Sequence, residues 1–149
     1  MANKILHIAY GSNLNLEQMA GRCPTARALG STKLKGYQLL FRGENAGAVA
    51  TIEKLQDGSV PALIWELEPV DEAALDRYEG FPAFYRKETV KVRYGGKLTE
   101  VMVYIMNEGR PMGLPSRYYY DTILKGYETS GFDTSILSKA VRVSAGKEA

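Results

Sequence analysis

The chain has 149 residues, 45% of them hydrophobic and 24% charged, which fits one domain able to bury a core without staples and excludes a disordered composition. Its formal net charge is +2, with Lys and Arg scattered apart from short groups such as Lys33/Lys35 and Arg86/Lys87, so nothing directs it to nucleic acid. The single cysteine, Cys23, excludes an intrachain disulfide, and one cysteine with one histidine, His7, cannot build a zinc site without recruiting carboxylates.

Met1-Ala2-Asn3-Lys4 leads directly into a strand-like segment rather than a long apolar leader. No later stretch is long enough to span a membrane, so the expected location is cytoplasmic. Ile5, Ile8 and Ala9 lie in an apolar run that predicts a buried first strand ending at Gly11. Gly11-Ser12-Asn13 is a turn cluster, in which the glycine is expected to take positive φ. Asn15 with Gln18 three residues later has the form of a capping box, predicting a short helix that ends near Gly21 or before Pro24. From Ala28 to Glu68 the pattern is β-like, punctuated by Gly36, Gly43, Gly47 and Asp57-Gly58.

Glu68-Pro69-Val70-Asp71 breaks that pattern. Val70, Ala74, Leu75 and Tyr78 then recur at helical spacing, predicting about two turns from near Asp71 to Tyr78, stopped by Gly80 with Pro82 beyond. Tyr85 to Tyr94, Gly95-Gly96 and Leu98 to Met106 read as a hairpin. After a loop from Asn107 to Pro115, Ser116 caps a helix with Tyr119, Ile123 and Tyr127 on one face, broken at Gly131. A short helix from Asp133 to Val143 follows, and residues 144–149 are expected to fray. Strands outnumber helices and one hairpin is antiparallel. The expected class is α+β, a small mixed and mainly antiparallel β-barrel or strongly curled sheet with short flanking helices, in one domain spanning 1–149.

Three groups of residues are candidates for chemistry. In Tyr10-Gly11-Ser12-Asn13-Leu14, successive backbone N–H groups just after a buried strand suit a carboxylate or a developing oxyanion; the plain alternative is a strand-to-helix connector. Glu79 ends a helix beside Tyr78 and Phe81. The dipole and the aromatic neighbours both disfavour its charged form, although most glutamates in such places are simply solvated. The ten tyrosines, Tyr118, Tyr119 and Tyr120 among them, are chiefly core packers with hydroxyls at the rim. His7 and Cys23 lie in no pattern that pairs them for nucleophilic work, and a structural role is expected for both.

Taken together and in this order, these pieces resemble the γ-glutamylcyclotransferase superfamily, from about Ile5 to about Val143. Ala9-Tyr10-Gly11-Ser12-Asn13-Leu14 is similar to the family's glycine loop, and Leu75-Asp76-Arg77-Tyr78-Glu79-Gly80 to the segment bearing its acid/base glutamate. Phe84-Tyr85 falls at a family tyrosine, and Pro115-Ser116-Arg117-Tyr118-Tyr119 resembles its late Pro-Ser-x-x-Tyr motif. The resemblance implies catalysis by Glu79 and substrate binding by Tyr10, Gly11, Ser12, Asn13, Leu14, Tyr85 and Tyr119, without metal or other cofactor. It implies closure of a γ-glutamyl group into 5-oxoproline with release of an amine or amino acid. The amine portion is left open: amino acid, amine or acyl carrier. A non-catalytic ligand-binding member and a water-using amidase are the rival readings; the glutamate speaks against the first, and detection of 5-oxoproline rather than glutamate separates cyclisation from the second.

Overall fold

A computed structural model describes residues 4–147, so Met1-Ala2-Asn3 and the last two positions of the expected tail lie outside the described residues. The order is β1 (Ile5–Ala9), a 3-10 turn (Ser12–Leu14), α1 (Leu16–Arg22), β2 (Arg27–Arg42), β3 (Val49–Leu67) and α2 (Pro69–Glu79). Then come β4 (Tyr85–Tyr94), β5 (Lys97–Met106), α3 (Arg117–Ser130) and α4 (Thr134–Ser144). The strands form one five-stranded sheet in the order β2-β3-β1-β5-β4. All neighbours pair antiparallel except β1 with β5.

The class is α+β as expected. Of the two forms anticipated, the sheet is curled and not closed. Its edges meet through side chains instead of a ladder: the Tyr94 hydroxyl donates to Leu29 O at 3.0 Å and the Thr32 hydroxyl donates to Arg93 O. Gly30 makes room for this approach, since a Cβ there would stand 3.0 Å from the Tyr94 ring.

The punctuated region from 28 to 68 is a pair of very long strands. Gly43 and Gly47 fall in the turn between them, but Gly36 and Asp57-Gly58 do not end strands. They face each other across a bulge, where the register passes from Lys35↔Ser59 to Tyr37↔Lys54. A Cβ on Gly58 would lie 2.3 Å from Tyr37 O, so this glycine marks close backbone approach.

The helix ends follow local chemistry. Asn15 Oδ1 accepts from Gln18 N at 2.9 Å, which is half of the expected capping box. The Gln18 side chain turns instead to Arg22 and Tyr118. Helix α2 starts earlier than predicted, because Glu68 and Asp71 form a reciprocal capping box around Pro69 at the first position. Val70, expected on its apolar face, is 65% exposed, whereas Leu75 is fully buried. Gly80 closes this helix in the left-handed region at φ 69°, and Gly131 closes α3 at φ 73°. The expected fraying at 144 does not occur. Ser144 is the buried last residue of α4, and its Oγ accepts from Phe41 N at 2.8 Å. Among the described residues no helix is long and apolar enough to cross a membrane.

Candidate active site

Three segments far apart in sequence meet just beyond the end of β1. They enclose a cavity of about 230 Å³ whose walls include Tyr10, Gly11, Ser12, Asn13, Glu79, Tyr85 and Tyr119. Leu14, the remaining predicted residue, is not on the wall. It is fully buried beneath it, against α3, where a Cβ on Gly126 would meet the Leu14 Cβ at 2.6 Å. That close approach seats the whole loop on α3.

The loop is a single 3-10 turn, closed by Leu14 N donating to Gly11 O and Asn15 N donating to Ser12 O, each at 3.0 Å. The amides of Ser12 and Asn13 stand at the head of this turn and have no partner within it. Gly11 has φ −123° and ψ −128°, not the positive φ expected. A side chain here would be crowded: a Cβ would lie 3.3 Å from Ala50 Cβ, tighter than an ordinary contact, and 3.7 Å from the Tyr119 hydroxyl.

Asn13 ties the loop to the proposed acid/base. Its Nδ2 donates to Glu79 Oε2 at 3.4 Å across 66 positions of sequence, and its carbonyl accepts from Trp65 Nε1 at 3.1 Å. Arg22 reaches in from the last turn of α1, donating to Asn13 Oδ1 at 2.8 Å and to Ser12 Oγ at 3.3 Å. Its guanidinium lies 3.6 Å from the centre of the Tyr78 ring, whose hydroxyl is 3.2 Å from Ser12 Oγ. Sequence reasoning missed Arg22. The only signal was a basic residue four positions after Gln18, which accepts from it at 2.9 Å.

Burial pushes the Glu79 carboxyl up to about 7, against the opposing pull of the Arg22 charge and the Asn13 hydrogen bond. The expected direction was upward, and desolvation supplies it. Of the two aromatic neighbours invoked, Tyr78 borders the cavity, while Phe81 packs under Lys87 Nζ at 4.4 Å. The turn of α2 before Glu79 is pinned to the sheet. Tyr104 OH donates to Asp76 Oδ1 at 2.6 Å, and Lys87 Nζ donates to Glu72 at 2.6 Å and to Asp76 Oδ2 at 3.0 Å.

The backbone of Ala50 fixes two of the tyrosines. Its N–H donates to the Tyr119 hydroxyl at 3.0 Å, and its carbonyl accepts from the Tyr85 hydroxyl at 2.5 Å. Because Tyr119 accepts there, its own proton is free for a ligand in the cavity. Tyr10 donates to Tyr104 O at 2.7 Å. Burial pushes all three phenols up, so they stay protonated in the neutral range. Of the tyrosine triplet, Tyr118 is 73% exposed and only Tyr119 lines the cavity.

His7 also borders the cavity, which the sequence reading did not anticipate. Its Nδ1 donates to Met102 O at 3.1 Å, and burial lowers its pKa to about 4, so the ring is neutral. Cys23 is buried elsewhere, its thiol donating to Asp71 O at 3.5 Å and pushed up by burial to about 11, the condition of an inert thiol. Among the described residues no three His, Cys, Asp or Glu side chains gather as metal ligands do. The arrangement therefore offers one carboxyl titrating near neutrality, two turn amides, an arginine beside them and protonated phenols. Such a set can move a proton and stabilise negative charge on one small ligand.

Known proteins share this frame. A solved structure described as a gamma-glutamyl cyclotransferase is 27% identical, covers 93% of this chain and 86% of its own, and superposes with a TM-score of 0.78. An uncharacterized protein from Homo sapiens is 28% identical over 92% of this chain and 86% of its own, with a TM-score of 0.79. YkqA from Bacillus subtilis, 23% identical, shares the fold at a TM-score of 0.79, with 95% of this chain matching 54% of that one. No curated protein sequence matches the chain. The sequence pattern of the gamma-glutamyl cyclotransferase, AIG2-like family matches residues 7–122, a span holding the loop, Glu79, Tyr85 and Tyr119, and the chain belongs to that family.

Proposed function

We propose that this protein catalyses cyclisation of a γ-glutamyl compound, releasing 5-oxoproline and the free amine portion, with Glu79 as the acid/base. The observation that carries the proposal is Glu79 on the cavity wall, raised to about 7 and hydrogen-bonded to the loop at Asn13. A carboxyl with that pKa can accept and return a proton at neutral pH.

The reaction begins with the substrate's α-amine attacking its own γ-carbonyl carbon. The Glu79 carboxylate takes the proton that the amine must lose as the new C–N bond forms. Negative charge then collects on the carbonyl oxygen, and the amides of Ser12 and Asn13, left without partners in their turn, together with the Tyr119 hydroxyl on the cavity wall, stabilise it. Collapse of this intermediate breaks the original C–N bond, and Glu79 hands its proton to the departing nitrogen. Atoms balance without water. Both reacting groups belong to one molecule, so holding its chain folded supplies much of the rate advantage. Tyr10 and Tyr85 shape the wall and, being tied to backbone carbonyls, hold it rigid.

The test is to incubate the purified protein with a panel of γ-glutamyl amino acids and γ-glutamylamines and to quantify 5-oxoproline and glutamate. 5-Oxoproline is expected in equal amount to the released amine. Glutamate in its place would replace cyclisation by hydrolysis.

A further inference from the structure

The cavity does not stop at the reacting carboxylate. Two of its wall residues, Val49 and Phe84, also line a second hollow of about 430 Å³ bordered by Arg42, Glu44, Arg110 and Pro111. Phe84 is thus the sill between the two, and the Arg110 guanidinium sits over it, its Cζ 3.9 Å from the ring centre. We propose that Arg110 on Phe84 is a specificity subsite that reads an anionic group, such as a carboxylate, on the amine portion of the substrate. This rests on the cyclisation proposed above, which places the departing nitrogen in the first cavity.

Three observations carry the assignment. First, Arg110 is positioned. Its carbonyl accepts from Arg42 Nη1 at 2.9 Å, Gly43 N donates to Pro111 O at 2.9 Å, and Gly113 N donates to Phe41 O at 3.2 Å. These bonds lace the loop from 107 to 115 onto the end of β2, and Leu114 N adds a bond to Asn45 Oδ1 at 2.9 Å. Second, Arg110 is available. Among the described residues its side chain makes the aromatic contact and no ion pair, whereas Arg42 is committed to Glu53 and Arg86 to Glu88. Glu44, the carboxylate on the same wall, is exposed. Third, the chemistry suits an anion. A guanidinium seated on a ring and engaged in no ion pair has N–H donors to offer a planar acceptor such as a carboxylate. A neutral alkylamine would leave that charge unanswered in a half-enclosed groove.

The experiment compares γ-glutamylalanine with γ-glutamylethylamine, which differ only by the carboxylate on the departing portion. Both are assayed with the wild type and with Arg110→Met, which keeps apolar cover on Phe84 and removes the charge. Thermal melts verify that the variant is folded, and Arg110→Glu serves as a second variant of opposite sign. The wild type is expected to favour the acid by about tenfold or more in kcat/KM, the usual weight of a hydrogen bond to a charged group. In Arg110→Met this ratio falls toward one, chiefly through KM, and in Arg110→Glu it inverts; added salt narrows it in the wild type. Equal handling of both compounds by the wild type, or equal loss on both in the variants, overturns the subsite. Calorimetric titration of both compounds into Glu79→Gln and into Glu79→Gln/Arg110→Met separates the two proposals. If no 5-oxoproline forms but the acid still binds in an Arg110-dependent way, the reaction falls and the subsite stands. If neither compound binds differently with Arg110 present, the subsite falls whatever the turnover.

Discussion

Asp76 and Glu79 stand three residues apart near the end of α2, and their surroundings have made them different groups. Asp76 receives the Tyr104 hydroxyl at 2.6 Å and the Lys87 ammonium at 3.0 Å, so its oxygens are occupied by a cation and a phenol that fasten the helix to β4 and β5. Glu79, one turn on, has left the reach of that lysine. It accepts a long hydrogen bond from the Asn13 amide at 3.4 Å, and burial raises it to about 7. A carboxylate with strong partners is a fastener; a carboxylate that is desolvated with weak ones is a proton carrier. The same helix thus carries the proposed acid/base and, one turn earlier, the anchorage that holds it in place.

The widest separation between the two is expected from Glu79→Gln, which keeps the shape and removes the titrating group. 5-Oxoproline formation should drop by about 100-fold or more, the low end of acid/base contributions, while the far-ultraviolet spectrum is unchanged. Full turnover by a folded Glu79→Gln protein would remove Glu79 from the mechanism. The substitution also has a signature in stability. The native pKa of about 7 exceeds the ordinary value of 4.5, so between those values the folded protein holds a proton that the unfolded chain has lost. Stability therefore falls as pH rises through that window and stays lower above it. Melting temperatures of Glu79→Gln relative to wild type should be higher at pH 8 than at pH 4; no change with pH would mean that the carboxyl is not desolvated.

Asp76→Asn is expected to behave oppositely. It should cost about 1–3 kcal/mol in urea unfolding, because Lys87 and Tyr104 lose a charged partner, and reduce kcat/KM by less than about tenfold. A loss of turnover as deep as in Glu79→Gln, with stability intact, would break the distinction between fastener and proton carrier. Next in size is Tyr119→Phe, which removes the hydroxyl facing the cavity and should raise KM by about tenfold. Tyr118→Phe, at an exposed position, should be close to silent. Equal effects would leave Tyr119 as packing alone.

A smaller effect is expected from Asn13→Ala. Its hydrogen bond lowers the Glu79 pKa, so its removal should move the acidic limb of the kcat/KM profile to higher pH. A limb that stays in place would mean that this bond does not operate in the working enzyme. Smallest is Cys23→Ser, whose thiol is buried away from the cavity wall. Turnover per folded molecule should match the wild type at temperatures well below melting, and abolished turnover would point to thiol chemistry instead.

Much of the frame was legible because it is written in short-range chemistry. Asn15 and Ser116 cap their helices, Gly80 and Gly131 end theirs, and Gly95-Gly96 turns the β4–β5 hairpin, each decided by residues within a few positions. The misreadings arise where distant partners override a local signal. Asp57-Gly58 looks like a turn, yet the ladder resumes beyond its bulge, since pairing over the rest of β2 and β3 outweighs one break. Ser144 looks like a tail residue until Phe41, about a hundred positions earlier, donates to it.

What the sequence determined by itself was therefore the helix caps and stops, the Gly95-Gly96 hairpin turn, the α+β class, and the residue types gathered at Gly11 and Glu79. Only the tertiary structure decided that Arg22 would join them, that the N–H and C=O of Ala50 would orient Tyr119 and Tyr85, and that Leu14 would face the core rather than the cavity. The physical reason is one of range. Caps and turns are settled by neighbours along the chain, whereas a pKa near 7 depends on how much water the curled sheet and its helices exclude, and that is fixed only when distant segments pack.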